Sequence, residues 1–283
     1  MPDRKAVVAG RFYPGSSDEL QALLHDLFTA LKDSGLDDNG QEDTPCAVMA
    51  PHAGYIFSAP VAARALVHTR VPETVIVLCP NHTGMGRSRF GVWPDGAWET
   101  PLGPVAVNTE LAGQLMAAGP VYAGDRLCHQ NEHAIEVLLP FLQYLRPDVR
   151  IVPVCIACQH TPTLRNAGEM LASVLGDSLD TGAVGILVSS DMNHYEKESV
   201  ALKKDERALE CVLAEDPEGL IERCASERIT MCGAGPMALT LHCLKCLRPQ
   251  ASRPARLMGH TTSGMVNKDF DRVVGYAGVR FYA

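Results

Sequence analysis

Four short apolar runs, at residues 47–50, 75–79, 151–156 and 185–189, are rich in β-branched side chains and bounded by Pro, Gly or Asn. Runs of this length without polar alternation read as strands covered on both faces. Between and around them lie stretches with helical spacing, at 17–31, 60–67, 109–118, 132–145, 164–175, 203–214, 217–225 and 236–247. Several carry start signals: Ser58 stands ahead of Pro60, and Pro217 and Pro236 fall near a first turn. Strands alternating with helices predict a layered α/β sheet. Two more strands, at 255–261 and 272–281, follow one another closely, so the sheet is expected to be mixed and flanked by helices. Residues 32–45, polar, acidic and glycine-containing, read as a mobile surface loop. In the absence of repeats or a linker-like tract, residues 1–283 are expected to form one domain.

Charge narrows the partners. The chain carries a net charge of -8 and has no Lys/Arg block, which disfavours a nucleic-acid backbone or an anionic membrane as its main partner. A small-molecule or peptide ligand is the expectation that remains. The N-terminal stretch has no apolar core fit for a signal peptide, and no apolar run approaches the roughly 20 residues that span a bilayer. The ten cysteines are therefore read as mostly reduced thiols of a cytoplasmic protein.

Three of the apolar strands end alike, in Ala50-Pro51-His52, Pro80-Asn81-His82 and Ser189-Ser190-Asp191-Met192-Asn193-His194. Ligands of open α/β sheets bind beyond the carboxyl ends of the strands, so these histidines can converge on one cleft. Cys232 lies just before a helix whose first turn carries Pro236, where the macrodipole favours a thiolate; most free cysteines, however, are small buried hydrophobes. In His129-Gln130-Asn131-Glu132-His133-Ala134-Ile135-Glu136, the two glutamates share a helical face. That segment reads equally as a solvated acidic first turn or as a source of His133 or Glu136 for the cleft. Two Cys-x2-Cys pairs, Cys155/Cys158 and Cys243/Cys246, lack the glycine-rich knuckles of a zinc site and are expected to be core residues. Asp191 and His194 share one strand-end loop, where a carboxylate beside an imidazole would raise its pKa, fix its tautomer and suit general acid/base work.

These blocks, together with Gly10-Arg11-Phe12-Tyr13-Pro14, the Leu-Pro-Phe continuation after Glu136, Cys232-Gly233 and Gly275-Tyr276-Ala277-Gly278, resemble the MEMO family in order and over nearly the whole chain. Bacterial and archaeal members are often called protein B of the AmmeMemoRadiSam system, named with an AMMECR1-like protein and a radical-SAM protein, which the resemblance offers as partners. It also implies a fold similar to class III, LigB-type extradiol dioxygenases. Those enzymes hold non-haem Fe(II) with two histidines and a carboxylate; in MEMO proteins a cysteine takes the carboxylate's place. The resemblance makes His52, His82 and Cys232 the ligands of one metal, Fe(II) first, with Cu or Zn as alternatives. It gives Asp191 and His194 supporting or acid/base roles; His133, from the residue reading above, is the alternative base should His194 lie too far from the metal. The second histidine often found after Pro-x-His is Thr83 here. The function expected is a mononuclear non-haem iron oxidoreductase acting on a small molecule. The alternatives are a non-catalytic metal- or peptide-binding adaptor and a metal-dependent hydrolase using the same cleft.

Overall fold

The structure, a computed structural model, describes residues 3–33, 44–179, 181–249 and 253–282. Most of the loop expected at 32–45 therefore lies outside the described residues, while Lys32 and Asp33 complete the first helix, α1 (Ser17–Asp33).

The expected strands all form. They are β1 (Ala47–Ala50), β2 (Thr74–Pro80), β7 (Arg150–Ile156), β8 (Val184–Ser189), β10 (Arg256–Thr262) and β11 (Val273–Phe281). Five short strands join them: β3 (Phe90–Val92), β4 (Ala97–Thr100), β5 (Gly103–Val107), β6 (Tyr122–Gly124) and β9 (His194–Glu196). Among the described residues these make one mixed sheet of 11 strands, with the order β10-β11-β1-β8-β2-β7-β3-β6 along its main path. β1, β8, β2 and β7 run parallel. β11 is antiparallel to β1 and to β10. β1, β2 and β8 are buried at every residue, as strands covered on both faces must be, and this is why their sequences do not alternate.

The helices that cover the sheet are α2 (Tyr55–Leu66), α3 (Thr109–Ala117), α4 (Leu127–Gln130), α5 (Leu139–Leu145), α6 (Thr161–Leu175), α7 (Glu198–Leu213), α8 (Pro217–Ser226), α9 (Ala234–Leu247) and α10 (Gly264–Asn267). α2 packs on β10 and β11, and α9 on β8 and β2, with α6 against α9. None of the helices among the described residues is long and apolar enough to cross a membrane.

Several helix starts differ from the sequence pattern, among them α7, which begins at Glu198, five residues ahead of the expected 203. α2 begins at Tyr55, so Pro60 sits inside it on the exposed face, and the Ser58 hydroxyl donates to the Ala53 carbonyl instead of capping. Residues 132–135 are not helical; a short 3-10 turn at Glu136–Leu138 leads into α5. The Glu132 carboxylate accepts from the Ala134 N–H at 3.0 Å and is drawn toward His82, which replaces the helical ladder with a side-chain turn.

Candidate metal centre

Because β1, β8 and β2 are parallel neighbours, their carboxyl ends lie side by side, with Ala50 in register with Ser189. The chain leaves these ends as Pro51-His52, Asn81-His82 and Ser190-Asp191. The turn before α9 closes on them: the Gly233 N–H donates to the Ser190 hydroxyl at 3.0 Å. A Cβ on Gly233 would lie 2.3 Å from the Ser190 Cβ, so only glycine lets Cys232 come this near to the strand end.

His52 is buried, and its ring is fixed by a chain of donors. The Ser189 hydroxyl donates to the Ala134 carbonyl at 2.7 Å, so at 2.6 Å it accepts the His52 Nδ1 proton. Nε2 is thereby left bare, 3.5 Å from the Cys232 sulfur. His82 is set in the same way by Glu132, whose carboxylate accepts the His82 Nδ1–H at 2.9 Å and its backbone N–H at 2.6 Å. The outer nitrogen again faces the site. Such outer partners fix tautomer and ring orientation in metal-ligating histidines.

The electrostatics follow from these contacts. Burial, with help from the neighbouring histidines, drives the His52 pKa well below its ordinary value. Burial would do the same to His82, but the hydrogen bond and charge of Glu132 outweigh it and hold that ring above its usual value. Glu132 is correspondingly held low, its burial outweighed by His82 and two backbone donors. Burial, aided by Asp191, pushes the Cys232 thiol upward, against the expectation that the helix start would favour a thiolate. The helix begins two residues later, at Ala234, and the local N–H that reaches the sulfur, from Asp191 at 3.2 Å, does not offset the loss of water.

A metal fits this donor set. Candidate ligand atoms of His52, His82 and Cys232 all lie within 4.8 Å of one another. Tetrahedral bonds of about 2.0 Å to nitrogen and 2.3 Å to sulfur would set an N···S edge of about 3.5 Å. The 3.5 Å between His52 Nε2 and Cys232 Sγ agrees. A second grouping, His82, Glu132 and His133, meets the same limit but spends Glu132 on the His82 ring.

The remaining expected residues are close by. His133 stacks on His82, with ring centroids 5.0 Å apart, and lies 5.5 Å from His52. His194 lines the same cavity, of about 1000 Å³, as His52, His82, His133 and Asp191. The expected pairing of Asp191 with His194 is replaced by two separate arrangements. The Asp191 carboxylate accepts the His52 backbone N–H at 2.7 Å and so holds the β1 strand end. The His194 Nδ1–H donates to the Thr230 carbonyl at 2.9 Å, and burial lowers the pKa of that ring rather than a carboxylate raising it. Thr230 is itself held by Asn193, whose Oδ1 accepts its N–H and its hydroxyl.

Glu132 and Glu136 are fully buried, not a solvated acidic turn. Glu136 accepts from Arg4, from the Val7 and Val8 N–H groups and from the Tyr13 hydroxyl, so it holds the N-terminal segment and takes no part in the cavity wall. Of the paired cysteines, Cys155 and Cys243 are buried in the core, Cys158 is half-buried and Cys246 exposed. Ser189 and Thr230 were not evident as site residues in the sequence. Ser189 had a signal, a hydroxyl ending a run otherwise wholly apolar; Thr230 had none, since its carbonyl and hydroxyl hold His194 from 36 residues away.

Comparison with known proteins agrees with the motifs. A family model described as Memo-like protein matches residues 4–280. A MEMO1 family protein of Methanopyrus kandleri is 41% identical over 286 residues, covering 99% of both chains. One from Thermotoga petrophila is 38% identical over 280 residues, covering 96% of this chain and 97% of its own. Another, from Ignicoccus hospitalis, is 39% identical over 288 residues and covers 98% of each. With its sequence matched from end to end and its strand-end histidines facing one cysteine, this chain belongs to the Memo-like family.

Proposed function

We propose that this protein is a mononuclear iron-dependent oxidoreductase acting on a small molecule held in the 1000 Å³ cavity. The observation that carries the reading is the pair of histidines at the wall of that cavity, each ring fixed through Nδ1 by a buried partner, with the Cys232 sulfur 3.5 Å from the His52 Nε2. Two imidazoles and a thiolate suit Fe(II), Cu or Zn over Mg or Ca, and three protein ligands leave open positions. Bound iron would supply redox chemistry at those positions. The chain does the rest. Ser189 and Glu132 hold the imidazole planes, and the Asp191 carboxylate anchors His52 through its backbone. His194, its Nδ1 proton committed to Thr230, presents Nε2 as a proton acceptor on the cavity side, with His133 as the alternative base.

The test is elemental analysis and EPR of protein purified without oxygen, with nitric oxide added as a probe for Fe(II). Iron near stoichiometry, with a nitric-oxide-dependent high-spin signal, supports the reading. Zinc in its place would move it to a hydrolase in which His194 shuttles protons to metal-bound water. Stoichiometric metal without turnover on a panel of oxidisable compounds would move it to a binding role.

A further inference from the structure

The candidate centre is bordered by two cavities. The large one is walled by the histidines. A smaller one, of about 280 Å³, is walled by Cys232 itself, with Asn81, Cys158, Gln159, Gly235 and Pro236. Cys232 contributes no wall to the large cavity, and the two histidine ligands contribute none to the small one. The ligands thus divide between the two openings, nitrogen on one side and sulfur on the other.

The small cavity is built by close backbone packing. β7 ends at Ile156, and the chain continues across the first turn of α9. A Cβ on Gly235 would fall 2.3 Å from the Cys158 carbonyl oxygen, so the strand-end segment is seated directly on the turn that follows Cys232. Cys158 is half-buried and free of any disulfide, and it shares this cavity with Cys232. Two thiols from distant parts of the chain therefore line one opening, with side-chain amides at Asn81 and Gln159 and no carboxylate among the lining residues. Such a wall attracts thiophilic cations and has little to offer Mg or Ca.

We infer that the small cavity is the metal-loading entrance of the centre, in which Cys158 takes a thiophilic divalent or monovalent cation first and passes it to Cys232. The inference rests on the metal-centre reading above. The transfer is ligand exchange without electron movement: Cys158 gives a proton to water as it binds the cation, and when the cation passes on, the Cys232 thiol gives up its proton as its sulfur binds while Cys158 takes one up again, so one proton is released to water over the whole sequence. The final site then keeps His52, His82 and Cys232, with Cys158 outside it. The large cavity stays available to the substrate while the metal is in place.

Uptake of Co(II) by metal-free, reduced full-length protein tests this, followed by stopped-flow absorbance of the thiolate-to-cobalt band. Cys158→Ser should slow uptake by roughly tenfold, because the first soft ligand is lost, and leave the final absorbance unchanged. Ala157→Trp, which fills the mouth of the small cavity from an exposed position, should slow uptake with Cys158 intact. Circular dichroism and melting show that each variant is folded. Wild-type uptake rates in both variants would overturn the inference. So would a lower final absorbance in Cys158→Ser, which would make Cys158 a resident ligand. Cys232→Ser separates the two readings: if it keeps the full cobalt signal, the metal centre is wrong, whatever Cys158 does.

Discussion

Glu132 carries more of the site than either histidine it touches. Its two oxygens take the His82 ring, the His82 backbone and the Ala134 N–H, which together fix a strand end, a tautomer and a turn. Glu132→Gln keeps the shape and loses the charge that holds the ring. Metal affinity should fall about 10–100-fold in a chelator competition titration, with little change in fold. Asp191 makes a prediction of opposite electrostatic origin. Burial pushes its carboxyl from 3.8 up to about 7, in spite of the N–H donated by His52. The folded state therefore holds a proton that the unfolded chain releases near 3.8; that stabilisation is complete below 3.8 and is lost as the pH rises to about 7. In metal-free protein, Asp191→Asn should lose less unfolding free energy than the parent between about pH 4 and pH 7, measured by denaturant titration across that range. Parallel curves for the two proteins would show that Asp191 is ionised throughout.

At the scale of elements, α6 packs closely along α9, the helix that follows Cys232. Gly168 makes it possible: a Cβ there would meet the His242 Cβ at 2.6 Å and the Leu239 carbonyl at 2.8 Å. Gly168→Ala gains helix propensity but must push two backbones apart, and should cost about 1–3 kcal/mol in urea denaturation. The strands that build the site were legible because they are buried on both faces, which leaves an unbroken apolar run ended by Pro51, Asn81 or Ser190. β3 to β6 were not legible. They are three to five residues long, too short for a run or an alternation to stand out, although β3 is buried throughout and β5 alternates exposed with buried residues. The segment from 132 misled for another reason. Its glutamates are spaced for a helix, yet each is claimed by a distant partner, His82 for one and Arg4 for the other. Pairing across that sequence distance has no local signature. Pro60 misled likewise, because a proline on an exposed helix face costs a bond without ending the helix.

Across the whole molecule, the chain start is tied to the site it helps to wall. Arg4 is buried and bonds Glu136, the Glu132 carbonyl and the His129 carbonyl, while its guanidinium lies 4.1 Å over the Trp98 ring. From that anchor the chain runs to Gly10–Pro14, part of the large cavity's wall, where the Phe12 carbonyl accepts from Tyr55 and the Phe12 ring packs 5.0 Å from His133. Arg4→Met would leave the Glu136 charge buried without its cation. It should cost about 3–5 kcal/mol by denaturant unfolding, far more than an exposed ion pair such as Lys5–Glu99. The centre itself is read most directly by counting metal. Protein purified without oxygen and analysed by mass spectrometry for metals should hold about one iron, copper or zinc per chain, as a single two-histidine, one-cysteine site requires. Cys232→Ser should lose most of that metal while melting as a folded protein. Full metal content in a folded Cys232→Ser variant would contradict a centre built on His52, His82 and Cys232.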